Sequence, residues 1–207
     1  MNKAFGKALL STGMLAVVVY VAHVLIGGAL WKEYQHLHRP ISDLTGSGAP
    51  DRGLLLWFTN IYGVLALVFA LSFTLFIASR RSVILLWGGI SLIMLHIVSI
   101  SYSFFPQDLP GSEPTFAGMM HIVVTVLIVP FTILSPIIIG IGLKKEPQWQ
   151  NLGRFSILCG MLILVFGGLT GYFFASKLSY FGLLERLNIG TLLLWTFVVS
   201  FSFSRKY

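Results

Sequence analysis

The sequence predicts an all-α polytopic membrane protein with six transmembrane helices, and three observations carry that reading. The 207-residue chain is 56% hydrophobic, with a mean hydropathy of +0.87. Only 10% of its residues are charged, against roughly 25% in a soluble domain. Six apolar stretches, at about 8–30, 54–79, 83–105, 116–143, 155–176 and 187–204, are long enough to cross a hydrocarbon core about 30 Å thick. None of them holds a Lys, Arg, Asp or Glu. So little chain lies outside the spans that one membrane domain over residues 1–207 is expected, with no room for a soluble one.

The first span is too long for a signal-peptide core and lacks a small-residue cleavage site, so it is expected to be retained. The connection that follows it, 31–53, contains Pro40, Gly46, Gly48 and Pro50, the composition of a turn-rich loop. Spans two and three are joined by Ser79-Arg80-Arg81-Ser82. After span three, three prolines between 106 and 114 predict a stiff link. Span four carries Pro130 and Pro136, which can kink a membrane helix. Span five carries Gly167, Gly168 and Gly171, a small-residue face suited to close helix packing. Its Cys159, the single cysteine, excludes an intramolecular disulfide and any multi-cysteine metal site. The last connection, Lys177 to Arg186, holds several large apolar residues and is expected at the membrane interface.

Charge gives the chain a side. Lys3, Lys7, Arg80, Arg81, Lys144, Lys145, Arg154, Arg205 and Lys206 share one side with Glu146 alone. The other side carries Lys32, Arg39, Arg52, Lys177 and Arg186 with Glu33, Asp43, Asp51, Asp108, Glu113 and Glu185. By the positive-inside rule both termini are cytoplasmic in the cell membrane, and the six helices form three hairpins that open outward. The basic excess therefore serves topology and does not indicate nucleic-acid binding.

Ionisable groups inside a membrane usually face a cavity or a partner. His23, His96 and His121 lie in three different spans, all in the outer half. At about 1.5 Å per residue, His121 lies roughly 8 Å, His23 about 10 Å and His96 about 13 Å from the outer ends of their spans. Ser99 and Ser103 follow His96 along one helical stripe, and Thr125 follows His121 at the next turn. Thr59, Asn60 and Tyr62 occupy the outer part of span two, and Asn188 opens span six. Asp43, Asp108 and the Glu185-Arg186 pair frame the mouth of the polar pocket that these residues would line.

Two stretches carry a family resemblance: Phe104-Phe105-Pro106-Gln107-Asp108 followed by His121, and Gly182-Leu183-Leu184-Glu185-Arg186 before the last span. Together with the six spans they resemble the prokaryotic integral-membrane family catalogued as domain of unknown function 998. The resemblance covers essentially the whole chain. It implies a compact helical bundle and no settled chemistry.

Several functions fit the residue types. His23, His96 and His121, with or without an aspartate, have the count of a catalytic zinc or other divalent-metal site, although no short ligand spacing such as His-x-x-x-His is present. Without metal, His121 with Asp108, or with Asp43, could act as acid and base or relay protons. A haem would need histidine pairs at matched depth on facing helices, and only one such set exists. The leading expectation is intramembrane chemistry, such as hydrolysis, on a lipid or other amphiphile. The alternatives are a small transporter, or a lipid-sensing or accessory subunit that binds lipid or a partner membrane helix. The inner halves of the spans are mostly Leu, Ile, Val and Phe, which favours a sealed inner side.

Overall fold

A computed structural model of the protein describes residues 3–206. It is all-helical, with six long helices: α1 (Lys3–Leu30), α2 (Arg52–Ala78), α3 (Val83–Ile100), α4 (Phe116–Lys144), α5 (Gln150–Ala175) and α6 (Phe181–Lys206). All six are long and apolar enough to cross a membrane, so the chain is a multi-pass membrane protein. Each helix packs chiefly on its neighbours in the chain, and α6 returns to pack on α1, closing a ring.

The helices extend past the apolar stretches and take in flanking charged residues. The clearest case is α6, which begins at Phe181 and takes Glu185 and Arg186 into its first turns. Charge ends a hydropathy window without ending a helix, because these two side chains are held by the first long loop. Helix α4 runs unbroken through Pro130 and Pro136.

Side-chain contacts gather the start of α1, the α2–α3 turn, the α4–α5 turn and the end of α6 at one end, called here the terminal end. Arg80 pairs with Glu146 at 3.1 Å, and Lys206 donates to the Gln148 carbonyl at 3.1 Å. The half of the ring near this end is filled with large apolar side chains. Phe69, Phe73, Leu85, Ile139, Trp195 and Phe203 are fully buried, and Trp149 stacks on Phe203 at 4.2 Å. Two buried polar contacts join helices here: Ser91 with Ser135 at 2.9 Å, and the Trp195 indole N–H with the Ser156 hydroxyl at 2.9 Å.

Ring closure rests on a small contact. The Ser200 hydroxyl of α6 donates to the Leu10 carbonyl at 2.6 Å and accepts the Met14 N–H at 3.0 Å. These are the acceptor and donor of one α-helical turn, so a hydroxyl of the last helix is inserted into the hydrogen-bond ladder of the first. Gly13 makes the approach possible, since a Cβ there would lie 2.8 Å from both Phe69 and Ser200.

The opposite, loop end is packed unevenly. Residues 31–51 fold inward through a short 3-10 helix, Ile41–Thr45, whose Ile41 and Leu44 join Tyr34 and Leu55 in a second core over α1, α2 and α6. No residue of α5 beyond Ile163 is buried, and α4 buries only Gly118 and Val124 before Ser135. Of the three glycines expected to pack closely, only Gly167 meets a neighbouring helix, at Asn188 of α6. Nothing lies within 4 Å of a Cβ built on Gly168 or Gly171, and close α4–α5 packing occurs instead at Gly140, Gly153 and Gly160.

Replacing Gly13 with Leu should force α1 away from α2 and α6. Overpacking of this kind costs about 1–3 kcal/mol, read as a lower unfolding temperature in detergent. An unchanged midpoint would mean that α1 is not clamped there.

Candidate functional site

The charged residues of the loop end build a hydrogen-bonded cover. Asp43, within the 3-10 helix, is fully buried. One carboxylate oxygen accepts from Arg39 Nε at 2.9 Å, and the other accepts from Gln107 Nε2 at 3.0 Å. The Gln107 side-chain oxygen accepts from the Ser42 hydroxyl at 2.5 Å, and its backbone carbonyl accepts from the Ser47 N–H at 2.8 Å. Asp43 thus joins the loop after α1 to the loop after α3. Arg39 also lies over the Trp31 ring, 4.0 Å from its centroid.

Glu185 and Arg186 attach the same loop to α6. The Ile41 N–H donates to Glu185 Oε2 at 2.5 Å. Arg186 Nη1 donates to the carbonyls of Arg39 and Gly182, both at 2.9 Å. Its Nη2 donates to the Tyr34 hydroxyl at 2.5 Å and to His36 Nδ1 at 3.3 Å, while Nε has no partner among the described residues. His36 therefore belongs to the cover, and the His38 ring packs at a tilt against Tyr180, 4.7 Å between centroids.

The third acid, Asp108, organises the start of α4. It accepts from the Thr115 N–H at 2.8 Å and from the Thr115 hydroxyl at 2.7 Å, and that hydroxyl accepts from the Gly118 N–H at 3.0 Å as the helix N-cap. A side chain at position 118 would collide with the Asp108 carboxylate, so the glycine admits this arrangement.

The three histidines have separate surroundings. His121 Nδ1 lies 2.9 Å from the Phe105 carbonyl, which can only accept, so the proton sits on Nδ1 and Nε2 is left as the basic nitrogen. Its ring packs on Tyr102 at 4.7 Å. His121 and Asp108 are close enough to interact electrostatically, but each has its own hydrogen-bond partner. His23 and His96 are 2% exposed, and neither ring nitrogen of either has a partner among the described residues. Tyrosines connect them: His23 contacts Tyr20 at 5.7 Å, Tyr20 contacts Tyr62 at 4.8 Å, and Tyr62 contacts His96 at 6.3 Å. Among the described residues no group of three or more His, Cys, Asp or Glu is placed to hold a metal ion. His23 and His96 lie along an aromatic path, His121 stands apart on Tyr102, and the three do not meet at one point.

The remaining polar residues are mostly used between and within helices. The Ser103 hydroxyl donates to Asn60 at 2.7 Å, and the Tyr102 hydroxyl donates to Thr125 at 3.0 Å, both at exposed positions. The Ser99 hydroxyl returns to the His96 carbonyl at 2.8 Å. Asn188 faces α5 beside Gly167, and its side-chain oxygen is buried without a partner among the described residues.

Beside the cover, a groove of about 130 Å³ runs between α1 and α6. Tyr20, Val21, Val24 and Leu25 line one wall, Arg186, Ile189, Gly190 and Leu193 the other, and Ile41 closes it from the loop. Apart from Tyr20 its walls are aliphatic residues that read in sequence as ordinary lipid-facing side chains. The only sequence signal for it was the Arg186 pair and one glycine, Gly190, whose missing side chain leaves the space open.

Burial pushes the Asp43 carboxyl above the usual carboxylate range, against the pull of the hydrogen bond and charge of Arg39. Asp108 is held below that range by its two hydrogen bonds from Thr115. Burial and the neighbouring Arg186 guanidinium lower the His36 imidazole, and burial pushes the Tyr34 hydroxyl up to about 12 despite Arg186. Asp43→Ala should destabilise the protein by about 1–3 kcal/mol by stranding Arg39 and Gln107, seen as a lower unfolding temperature at neutral pH. Because the folded-state pKa of Asp108 lies below its unfolded value, its contribution is present at neutral pH and is lost as pH falls through the carboxylate range. Asp108→Asn should therefore give a melting temperature that falls less steeply than wild type below about pH 5; parallel acid profiles would rule out this role.

No curated protein and no solved structure matches the chain. A family model, described as a protein of unknown function (DUF998), matches residues 14–202. That match spans four of the six helices completely, most of α1 and α6, and the whole loop-end cover, and the chain belongs to this family.

Proposed function

We propose that the protein binds an amphiphile from the outer leaflet of the cell membrane, with both termini in the cytoplasm and the covered loop end facing outward. The charge distribution supports this orientation, since cations are concentrated at the terminal end and acids at the loop end. The observation that carries the binding reading is the lateral groove between α1 and α6. It is apolar, opens beside a pinned loop and ends at a charged residue. The filled terminal half of the ring argues against a route across the membrane, and so against the transporter alternative. Asp43 and Asp108 spend their lone pairs on the loops, which favours a binding or sensing role over acid–base chemistry at either residue.

One observation favours a second, catalytic reading. With its proton held on Nδ1 by the Phe105 carbonyl, His121 presents Nε2 as a base of fixed orientation at a half-exposed position. Such an enzyme would act on a lipid or other amphiphile at the outer leaflet, with no metal required.

The binding reading is tested by native mass spectrometry of protein released from nanodiscs. Wild type should retain one lipid per chain, and Gly190→Phe, which fills the groove, should lower that occupancy at least fivefold. Gly171→Phe adds the same bulk on open α5 surface and should leave it unchanged. Equal retention in all three would overturn the groove as the binding site.

A further inference from the structure

We infer that the outer half of the helix ring encloses a water-filled vestibule, closed at the terminal end and reaching Tyr20 and Tyr62 near the middle of the bilayer. It lies inside the ring, shares only Tyr20 with the lateral groove, and does not depend on the groove holding a ligand.

The first argument is hydrogen bonding. Among the described residues the hydroxyls of Tyr20 and Tyr62 have no hydrogen-bond partner. Glu185 takes the Ile41 N–H on one carboxylate oxygen and leaves the other unpaired, as are His121 Nε2 and the Asn188 amide nitrogen. None of these atoms is sealed in packing, in contrast to the ring nitrogens of His23 and His96. Tyr20 stands ten residues from the loop end of α1 and Tyr62 ten from that of α2. At the helical rise both lie about 15 Å inside, half of a hydrocarbon core about 30 Å thick. Lipid tails offer no hydrogen bonds there, and a polar group left unpaired in hydrocarbon is costly. Several polar groups around one space are what an enclosed water needs.

The second argument is that these groups share one space. Tyr20 interacts electrostatically with Tyr62, Tyr102 and Glu185, and Tyr102 interacts with Glu185 in turn. The polar ends of α1, α2, α6 and the 3-10 turn after α3 are therefore directed toward each other. His121 joins them from α4 through its ring contact with Tyr102 at 4.7 Å, and Asn188 follows Glu185 by one turn of α6. Tyr20, Tyr62, Tyr102 and Glu185 lie deep in the ring, yet each keeps part of its surface free of protein. Side chains that are enclosed by helices and still not packed against line a cavity. Its floor is the apolar core, with Phe69 and Trp195 fully buried. Its mouth lies toward α4 and α5. The second core of the cover sits over α1, α2 and α6, α5 buries nothing beyond Ile163, and the Tyr102–Thr125 hydrogen bond is at an exposed position. Water in this space would also reach His121 Nε2, the nitrogen that the Phe105 carbonyl leaves basic.

The test is thiol accessibility in nanodiscs, with a positively charged methanethiosulfonate as the probe, which reacts in water and does not enter hydrocarbon. In a Cys159→Ala background, Tyr62→Cys and Asn188→Cys should be labelled at least tenfold faster than Gly168→Cys. Gly168 is on open α5 surface and only seven residues from the loop end of its helix, so depth alone predicts the reverse order. Ser112→Cys, in the exposed loop, sets the rate for a fully wet thiol. Labelling of Tyr62→Cys no faster than Gly168→Cys would overturn the vestibule. Water radiolysis of wild type in nanodiscs needs no substitution. Hydroxyl radicals from adjacent water should oxidise Tyr62 as well as the exposed Tyr180 of the α5–α6 turn, and should spare Met161, which is exposed on α5. An intact Tyr62 beside an oxidised Tyr180 overturns the inference whether or not the cysteine variants fold. Gly190→Phe should leave both readouts unchanged, so failure of the groove and failure of the vestibule are separate results.

Discussion

The loop end of this protein depends on one guanidinium. Arg186 directs four hydrogen bonds to loop backbone, tyrosine, imidazole and its own helix, and it does so from within the first turns of α6. The loop it holds could not otherwise lie against membrane-spanning helices, because its carbonyls and N–H groups need partners away from water. With the loop held there, Ile41 and Leu44 pack into the ring, Asp43 is buried, and Gln107 is drawn across from the next loop. The groove is a by-product of the same clamp, bounded by Ile41 from the loop and by Arg186 itself.

The helices were legible in the sequence because bilayer thickness imposes a length and an apolar composition that no soluble segment needs. The loops were less so. The acids at the mouth looked like groups free for chemistry, since sequence records their charge and not their neighbours. Asp108 illustrates the difference: its role as the partner of Thr115 and the Gly118 turn depends on an approach that residues 109–114 make by folding back. Glu185 and Arg186 stood apart from the last span in hydropathy, yet a helix absorbs charges when a loop folds over them. The glycines of α5 misled in the opposite sense, because small residues permit close packing without causing it.

The buried histidines were found from sequence as three polar residues at similar depth, and the structure separates them by environment. His121 has a carbonyl to fix its tautomer, whereas His23 and His96 sit among tyrosine rings with no hydrogen-bond partner on either nitrogen among the described residues. Depth is additive along a helix and can be counted. Direction depends on which helices adjoin in the ring, and that follows from glycine and serine contacts such as those at Gly13 and Ser200. Helix α2 adjoins both α1 and α3, which is why Tyr62 can reach toward both histidines.

The hydroxyl of Ser200 inserted into the Met14–Leu10 turn also has a bearing on biogenesis. Helices emerge from the ribosome in order, so α1 waits through the synthesis of every other helix before its last neighbour arrives. During that interval its turn closes on itself, and Gly13 presents a notch to lipid. Arrival of α6 fills the notch and brings the two walls of the groove together in one event. A nascent chain that has not yet made α6 therefore lacks one wall of the groove, which exists only once α1 and α6 have met.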